Sequence, residues 1–185
     1  MTVTTDLIPG YVAGTWSLDP THSEVSFSVR HLAISKVRGI FEKFDATVVT
    51  GENPEDSTLT ATIDVASVNT NQAQRDEHLR TSDFFAIEEF PTITFVSTGL
   101  RHDGEDFFLD GDLTLRGVTK PVSIKGEFGG IITDPYGNVK AGASGTLKIN
   151  RKDFGVNWNT VVEGGGVMLG DDVTITIEGQ VVLQK

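Results

Sequence analysis

Phe107–Phe128 reads FFLDGDLTLRGVTKPVSIKGEF, and its alternation decides the fold. Phe107, Leu109, Gly111, Leu113 and Leu115 share one face, across from Asp110, Asp112, Thr114 and Arg116. Val122, Ile124, Gly126 and Phe128 then repeat the pattern. A period of two marks half-buried β-strands with one apolar and one polar face. One residue in each run is odd. Gly111 and Gly126 sit on the face that otherwise carries large apolar side chains.

Working outward, the same alternation runs through Val25, Phe27 and Val29, through Phe44, Ala46 and Val48, and through Leu59, Ala61, Ile63 and Val65. It returns at Ile93 and Phe95, at Ala143, Gly145, Leu147 and Ile149, and at Val173, Ile175, Ile177, Gly179, Val181 and Leu183. Turn clusters punctuate it at Asn53–Ser57, His102–Glu105 and Asp134–Asn138, and His31–Val37 is expected as a loop or short helical turn. About eight or nine mostly antiparallel strands predict an all-β chain, either a closed barrel or a two-sheet sandwich. Gly111, Gly126, Gly145 and Gly179 bear on the choice. In a sandwich core those positions would hold Val, Leu or Ile. Inward glycines suit strands that coil to close a barrel, or an interior that stays hollow. The apolar face then becomes a cavity wall, with Phe27, Val29, Ile63, Phe95, Leu113, Ile124, Leu147 and Ile177 as its candidate lining. Such an interior suits a lipid better than a catalytic reaction.

One long segment breaks the pattern: Asn69–Phe95, NTNQAQRDEHLRTSDFFAIEEFPTITF. A short helix is expected there, capped by Asn71 with Gln74 at its third position, and with Asp76 pairing to Arg80 four residues on. Ala73 and Leu79 are too few to anchor it, so Phe84, Phe85 and Phe90 are expected to dock it as a plug on the barrel. Arg75, His78 and Arg80 are candidates to meet a polar head group. The bland alternative is that Arg75 and Asp76 form salt bridges that only hold the plug. A second cluster, Asn150–Trp158, offers an Arg151–Asp153 pair at a strand end. The glycine run Gly164–Gly166 is expected as a loop at the barrel mouth.

At 185 residues one domain is expected, with residues 1–13 as a flexible arm and 14–185 as the barrel. The net charge of −11 disfavours nucleic acid or an anionic membrane as partner, and no basic block offsets it. Absent cysteine excludes disulfides and thiolate chemistry. His22, His31, His78 and His102 lack the spacing of a metal site, and the first two are expected to cap strand ends with His102 in a turn. No GxSxG is present. No catalytic residue, metal or cofactor is expected. Without a leader-like N-terminus or the ~20 apolar residues of a membrane span, the chain reads as soluble and cytoplasmic, with no stable membrane insertion. A homodimer is the oligomer expected.

Five segments assemble into a resemblance. WSLDPTHSEVSFSVRHL (Trp16–Leu32), SVNTNQAQRDEHLRTSDFF (Ser67–Phe85), FPTITFVST (Phe90–Thr98), GDLTLRGVTKPV (Gly111–Val122) and INRKDFGV (Ile149–Val156) together resemble the YceI-like family. The resemblance covers nearly the whole chain from Trp16, and RDEHL followed by SDFF is its most specific part. It implies an extended, lipocalin-like antiparallel β-barrel of about eight strands with short helices, one of them closing the barrel. It further implies a binding protein, a carrier or store for a long polyisoprenoid lipid such as an isoprenoid quinone or polyprenyl phosphate, with no established catalysis. By motif it brings forward Arg75, Asp76, His78, Leu79, Asn150, Arg151 and Phe154. The alternative function is an enzyme acting on a lipophilic small molecule, with His78 as acid or base. Two departures stand out: many members carry a secretory leader, and many carry an aromatic where Ala143 follows Gly142.

Overall fold

In the computed structural model, which describes residues 2–160 and 167–185, the alternating segments form eleven strands joined in one sheet. They are β1 (Gly14–Leu18), β2 (Glu24–His31), β3 (Ser35–Phe41), β4 (Phe44–Thr50), β5 (Thr58–Asp64) and β6 (Val68–Asn69). After helix α1 (Ala73–Arg80) follow β7 (Thr92–Asp103), β8 (Asp106–Leu115), β9 (Val118–Thr133), β10 (Val139–Asn150) and β11 (Leu169–Leu183). β1 pairs with both β4 and β11, so the order β1-β4-β5-β7-β8-β9-β10-β11 closes into an eight-stranded antiparallel barrel. Closure satisfies every sheet edge in that ring. β2, β3 and β6 extend the sheet beyond β11 at one end.

Local chemistry explains the corners. Asp134 accepts hydrogen bonds at Oδ1 from the backbone N–H groups of Tyr136 and Asn138, both at 2.9 Å, and so fixes the β9–β10 turn. The β8–β9 turn places Arg116 and Gly117 at φ 52° and 74°, the left-handed pair that a two-residue hairpin demands. Arg116 offsets its own strain by donating to Gly155 O at 2.7 Å and Ser82 O at 2.8 Å, tying two connections to the barrel.

Two expectations change here. His31–Val37 is no helical turn: β2 and β3 form a tight hairpin with Leu32 and Ala33 at φ 55° and 60°. The apolar pairs Val29↔Val37 and Phe27↔Gly39 set its register, and turn propensity yields to them. The segment before Gly14, expected as a flexible arm, lies against the barrel. Val3 is 1% exposed and Ile8 7%. Val3 N–H donates to Glu55 Oε1 at 3.0 Å, and Tyr11 Oη donates to Gly51 O at 2.7 Å. Two apolar side chains find sites on the wall, and that burial orders the backbone between them. The Gly164–Gly166 run lies outside the described residues.

Buried apolar side chains lie at both ends, with Phe41, Val65, Val68, Leu115 and Phe154 towards α1 and Ile8 and Trp16 at the other. Along the wall between them, side chains such as Phe27, Ile63, Ile124 and Ile177 are only half-buried because they face a cavity. No helix among the described residues is long and apolar enough to cross a membrane.

Candidate functional site

The cavity has a volume of about 780 Å³ and runs the length of the barrel, from Ile8 and Trp16 at one end to α1 at the other. Its wall is almost wholly apolar. The structure brings together all the lining candidates: Phe27 and Val29 from β2, Ile63 from β5, Phe95 from β7, Leu113 from β8, Ile124 from β9, Leu147 from β10 and Ile177 from β11. Arg75, His78 and Leu79 of α1, with Phe84 beyond it, complete one end. Sequence reasoning passed over Trp16, Phe128, Ala141, Trp158 and Met168 as lining residues. The first three lie on strands. Trp158 and Met168 lie outside the strand pattern, and only tertiary structure brings them to the wall.

The inward glycines sort into two kinds. A Cβ on Gly111 would overlap the Phe95 ring, and one on Gly145 would meet Ile124 Cγ2 at 2.6 Å. A Cβ on Gly126 would meet Ser144 O at 2.9 Å. These three make room for neighbours. Gly179 differs, since the nearest atom to its Cβ position is Ala143 O at 3.9 Å. Ala143 pairs across from Gly179 and faces the cavity with it. Together they widen the interior between β10 and β11. A bulge at Gly129–Gly130, where Phe128 pairs with Ala143 but Gly130 with Gly142, curves the wall there.

α1 is held differently from expectation. Its N-cap is Gln72, whose Oε1 accepts from Arg75 N–H at 2.6 Å. Asn71 cannot serve because it already takes φ 64°. Asp76 does not reach Arg80. Its Oδ1 accepts from Thr70 N–H at 2.9 Å and Thr70 Oγ1 at 2.6 Å. Arg75 closes on the same residue, donating to Thr70 Oγ1 at 2.8 Å and Thr70 O at 2.6 Å. No Arg75–Asp76 salt bridge forms; the buried Thr70 joins both side chains. Arg80 instead donates to Ala66 O and Val68 O, in the turn before β6 and at its start.

His78 Nε2 lies 2.8 Å from Asp83 Oδ2, and its ring packs edge-on against Phe84 and Trp158 with centroids at 5.0 and 4.9 Å. Phe84 and Trp158 are themselves 5.3 Å apart. This aromatic contact joins the α1 segment to the strand-end cluster, and Phe85 adds an edge contact to Phe41 at 6.0 Å. His22 instead meets Asp19 at 2.9 Å. His102, expected in a turn, pairs within the β7–β8 ladder opposite Phe107.

Arg151 is 5% exposed and does not pair with Asp153. It donates to the carbonyls of Val156, Trp158 and Gly170, each at 2.8 Å, with Asp171 at 4.0 Å as its nearest carboxylate. Burial pushes its guanidinium below its ordinary value, and Asp171 opposes that shift. The Gly155 turn, at φ 79°, swings the carbonyls of 156–158 over it. Arg151 thus builds the wall that carries Trp158.

Known proteins share both the sequence and the barrel. The description YceI-like domain matches residues 16–181. Protein YceI of Escherichia coli O17:K52:H18 is 39% identical over 171 residues, covering 91% of this chain and 87% of that protein. A UPF0312 protein of Staphylococcus aureus strain MSSA476 is 41% identical over 161 residues, covering 85% and 91%. Among solved structures, the Campylobacter jejuni YCEI protein superposes with a TM-score of 0.71 at 32% identity, over 84% of this chain and 90% of that one. A polyisoprenoid binding domain from Saccharophagus degradans shares the fold, with a TM-score of 0.70 at 16% identity over 94% and 100%. With the match spanning the barrel from β1 into β11, the chain belongs to the YceI-like family.

Proposed function

We propose that the protein is a carrier or store for a long-chain polyisoprenoid lipid, such as an isoprenoid quinone or polyprenyl phosphate, with the tail inside the barrel. The observation that carries this reading is the apolar cavity of about 780 Å³. Burying ten tail methylenes contributes roughly 8 kcal/mol, within the range of the about 4–15 kcal/mol that association costs in lost freedom. A longer tail therefore binds with little polar help, and polar groups set orientation rather than affinity. The head group belongs at the α1 end, where Arg75 and His78 stand on the cavity rim. The twelve lining and rim residues are its contacts: Phe27, Val29, Ile63, Arg75, His78, Leu79, Phe84, Phe95, Leu113, Ile124, Leu147 and Ile177. The polyisoprenoid binding domain among the structural neighbours lends the ligand class.

Native mass spectrometry of the purified protein, followed by organic extraction, tests the reading. A co-purifying prenyl lipid, or stoichiometric uptake of an added prenyl quinone, is expected. Empty protein that takes up no prenyl quinone overturns it. The His78–Asp83 pair supports a second reading, an enzyme acting on a lipophilic small molecule with His78 as acid or base. That reading requires turnover which His78→Gln abolishes while ligand binding survives.

A further inference from the structure

The β2–β3 hairpin stands apart from the charge and polarity of the rest of the molecule. Val25–Phe41 contains no Asp or Glu in a chain with 26 of them. Arg30, Lys36 and Arg38 lie far enough apart in sequence to form no basic block, but the hairpin gathers them. Arg30 pairs directly opposite Lys36, and Arg38 lies two residues further along the same outward face. Like charges opposite one another destabilise a ladder, and no carboxylate forms an ion pair with these three among the described residues. Beyond them the tip is apolar: Ile34 is 82% exposed and Leu32 37%. Leu32 and Ala33 hold left-handed backbone that their side chains disfavour, at φ 55° and 60°. The turn thus holds Leu32 in water at a position where a glycine or asparagine would fit better, with Ile34 exposed beside it.

We propose that this hairpin docks the protein on the surface of an anionic phospholipid bilayer. The two chemistries are stacked in the order a bilayer presents them. At about 3.4 Å per residue, Arg30 trails Leu32 by about 7 Å, which puts the cations at the phosphate level when the tip enters the boundary to a depth of about 5–10 Å. The chain's net −11 does not forbid this, because charges more than about 10 Å away are screened at 0.1 M salt. The adjoining strand carries Asp171 and Asp172 beside Arg30. Lys152 pairs the first at 3.2 Å, which leaves three cations facing one unpaired acid among the described residues. A nucleic acid would meet the cations but leave Ile34 and Leu32 unused. The hairpin also adjoins the cavity: His31 and Val37 line it, and Leu32 N–H donates at 2.8 Å to the carbonyl of Met168, another lining residue. Docking there would set a cavity wall against the source of a lipid ligand. This last link rests on the carrier reading; the docking itself does not.

Vesicle flotation of the full chain tests it, with phosphatidylglycerol mixed into phosphatidylcholine against pure phosphatidylcholine. Association with the anionic vesicles alone is expected, weakening as salt rises. Lys36→Glu with Arg38→Glu weakens it by at least fivefold for each cation lost, and Ile34→Ser by roughly tenfold. Leu32→Asn suits the left-handed turn, so it weakens docking without loss of stability and separates docking from folding. No association, equal association with both vesicles, or indifference to these substitutions overturns the proposal. So does a concentration-dependent dimer that Ile34→Ser abolishes, because a second copy would then cover the tip. A chain that floats but never takes up prenyl lipid overturns the carrier reading alone. One that takes up lipid but ignores vesicles overturns docking alone.

Discussion

Thr70 shows how much a single side chain decides. It is 4% exposed, and its hydroxyl and backbone satisfy both Asp76 and Arg75 at the root of α1. With Ala73 and Leu79 as its only apolar residues, α1 has no stripe to hold it; this polar joint substitutes for one. Thr70→Val keeps the shape and removes the hydroxyl, leaving Arg75 Nε and one of the two bonds to Asp76 Oδ1 unmade. The expected cost is about 1–3 kcal/mol, read as a lower midpoint in urea unfolding. An unchanged midpoint would show that the joint is incidental. RDEHL was legible as a motif, but the role of Asp76 was not, because its partner lies outside the helix on a residue with no distinguishing pattern.

Among the elements, the β7–β8–β9 ladder carries a polar contact whose pH behaviour follows from its geometry. Arg101 on β7 donates to Asp110 on β8 at 2.9 Å, and Ser123 on β9 donates to the same carboxylate. The Arg101 and Ser123 hydrogen bonds hold the Asp110 carboxyl below its ordinary value. A depressed carboxyl stabilises the folded state above the unfolded value of about 3.9, and that contribution is lost as pH falls through the lower folded value. Arg101→Ala should raise the Asp110 titration toward the ordinary value, as seen by carboxyl NMR. It should also reduce stability near neutral pH, with the difference vanishing in acid. A deficit that persists below the folded titration would point to lost packing of Arg101 on the Phe108 ring, which lies 4.5 Å away.

The whole molecule is a barrel around an apolar cavity, crowded beside some inward glycines and open beside others, and two of those glycines test that division. Gly111→Val drives a side chain into the Phe95 ring and should destabilise by about 1–3 kcal/mol, since overpacking forces strain. Gly179→Val enters open space, so the melting temperature should hold while uptake of prenyl lipid falls. If both variants melt alike, the interior at β10–β11 is packed rather than hollow. The sequence could not separate these two glycines. Each lies on an apolar face, and the difference is whether a neighbouring strand sends a ring or nothing towards it.

What the sequence determined by itself follows from local periodicity. Alternation at Phe107–Phe128 and its repeats specified antiparallel strands, inward and outward faces, and so the eight strand residues named as candidate lining. Motifs added the family. What only tertiary structure decided are relations between segments distant in the chain. β1 meets β11 to close the ring, Thr70 takes Asp76 away from Arg80, and Trp158 reaches His78 across the rim. Arg30, Lys36 and Arg38 become one charged face only when β2 folds back on β3. A period of two is written into every few residues because each strand must bury one face. Which strand, carbonyl or ring lies opposite depends on the path of the whole chain.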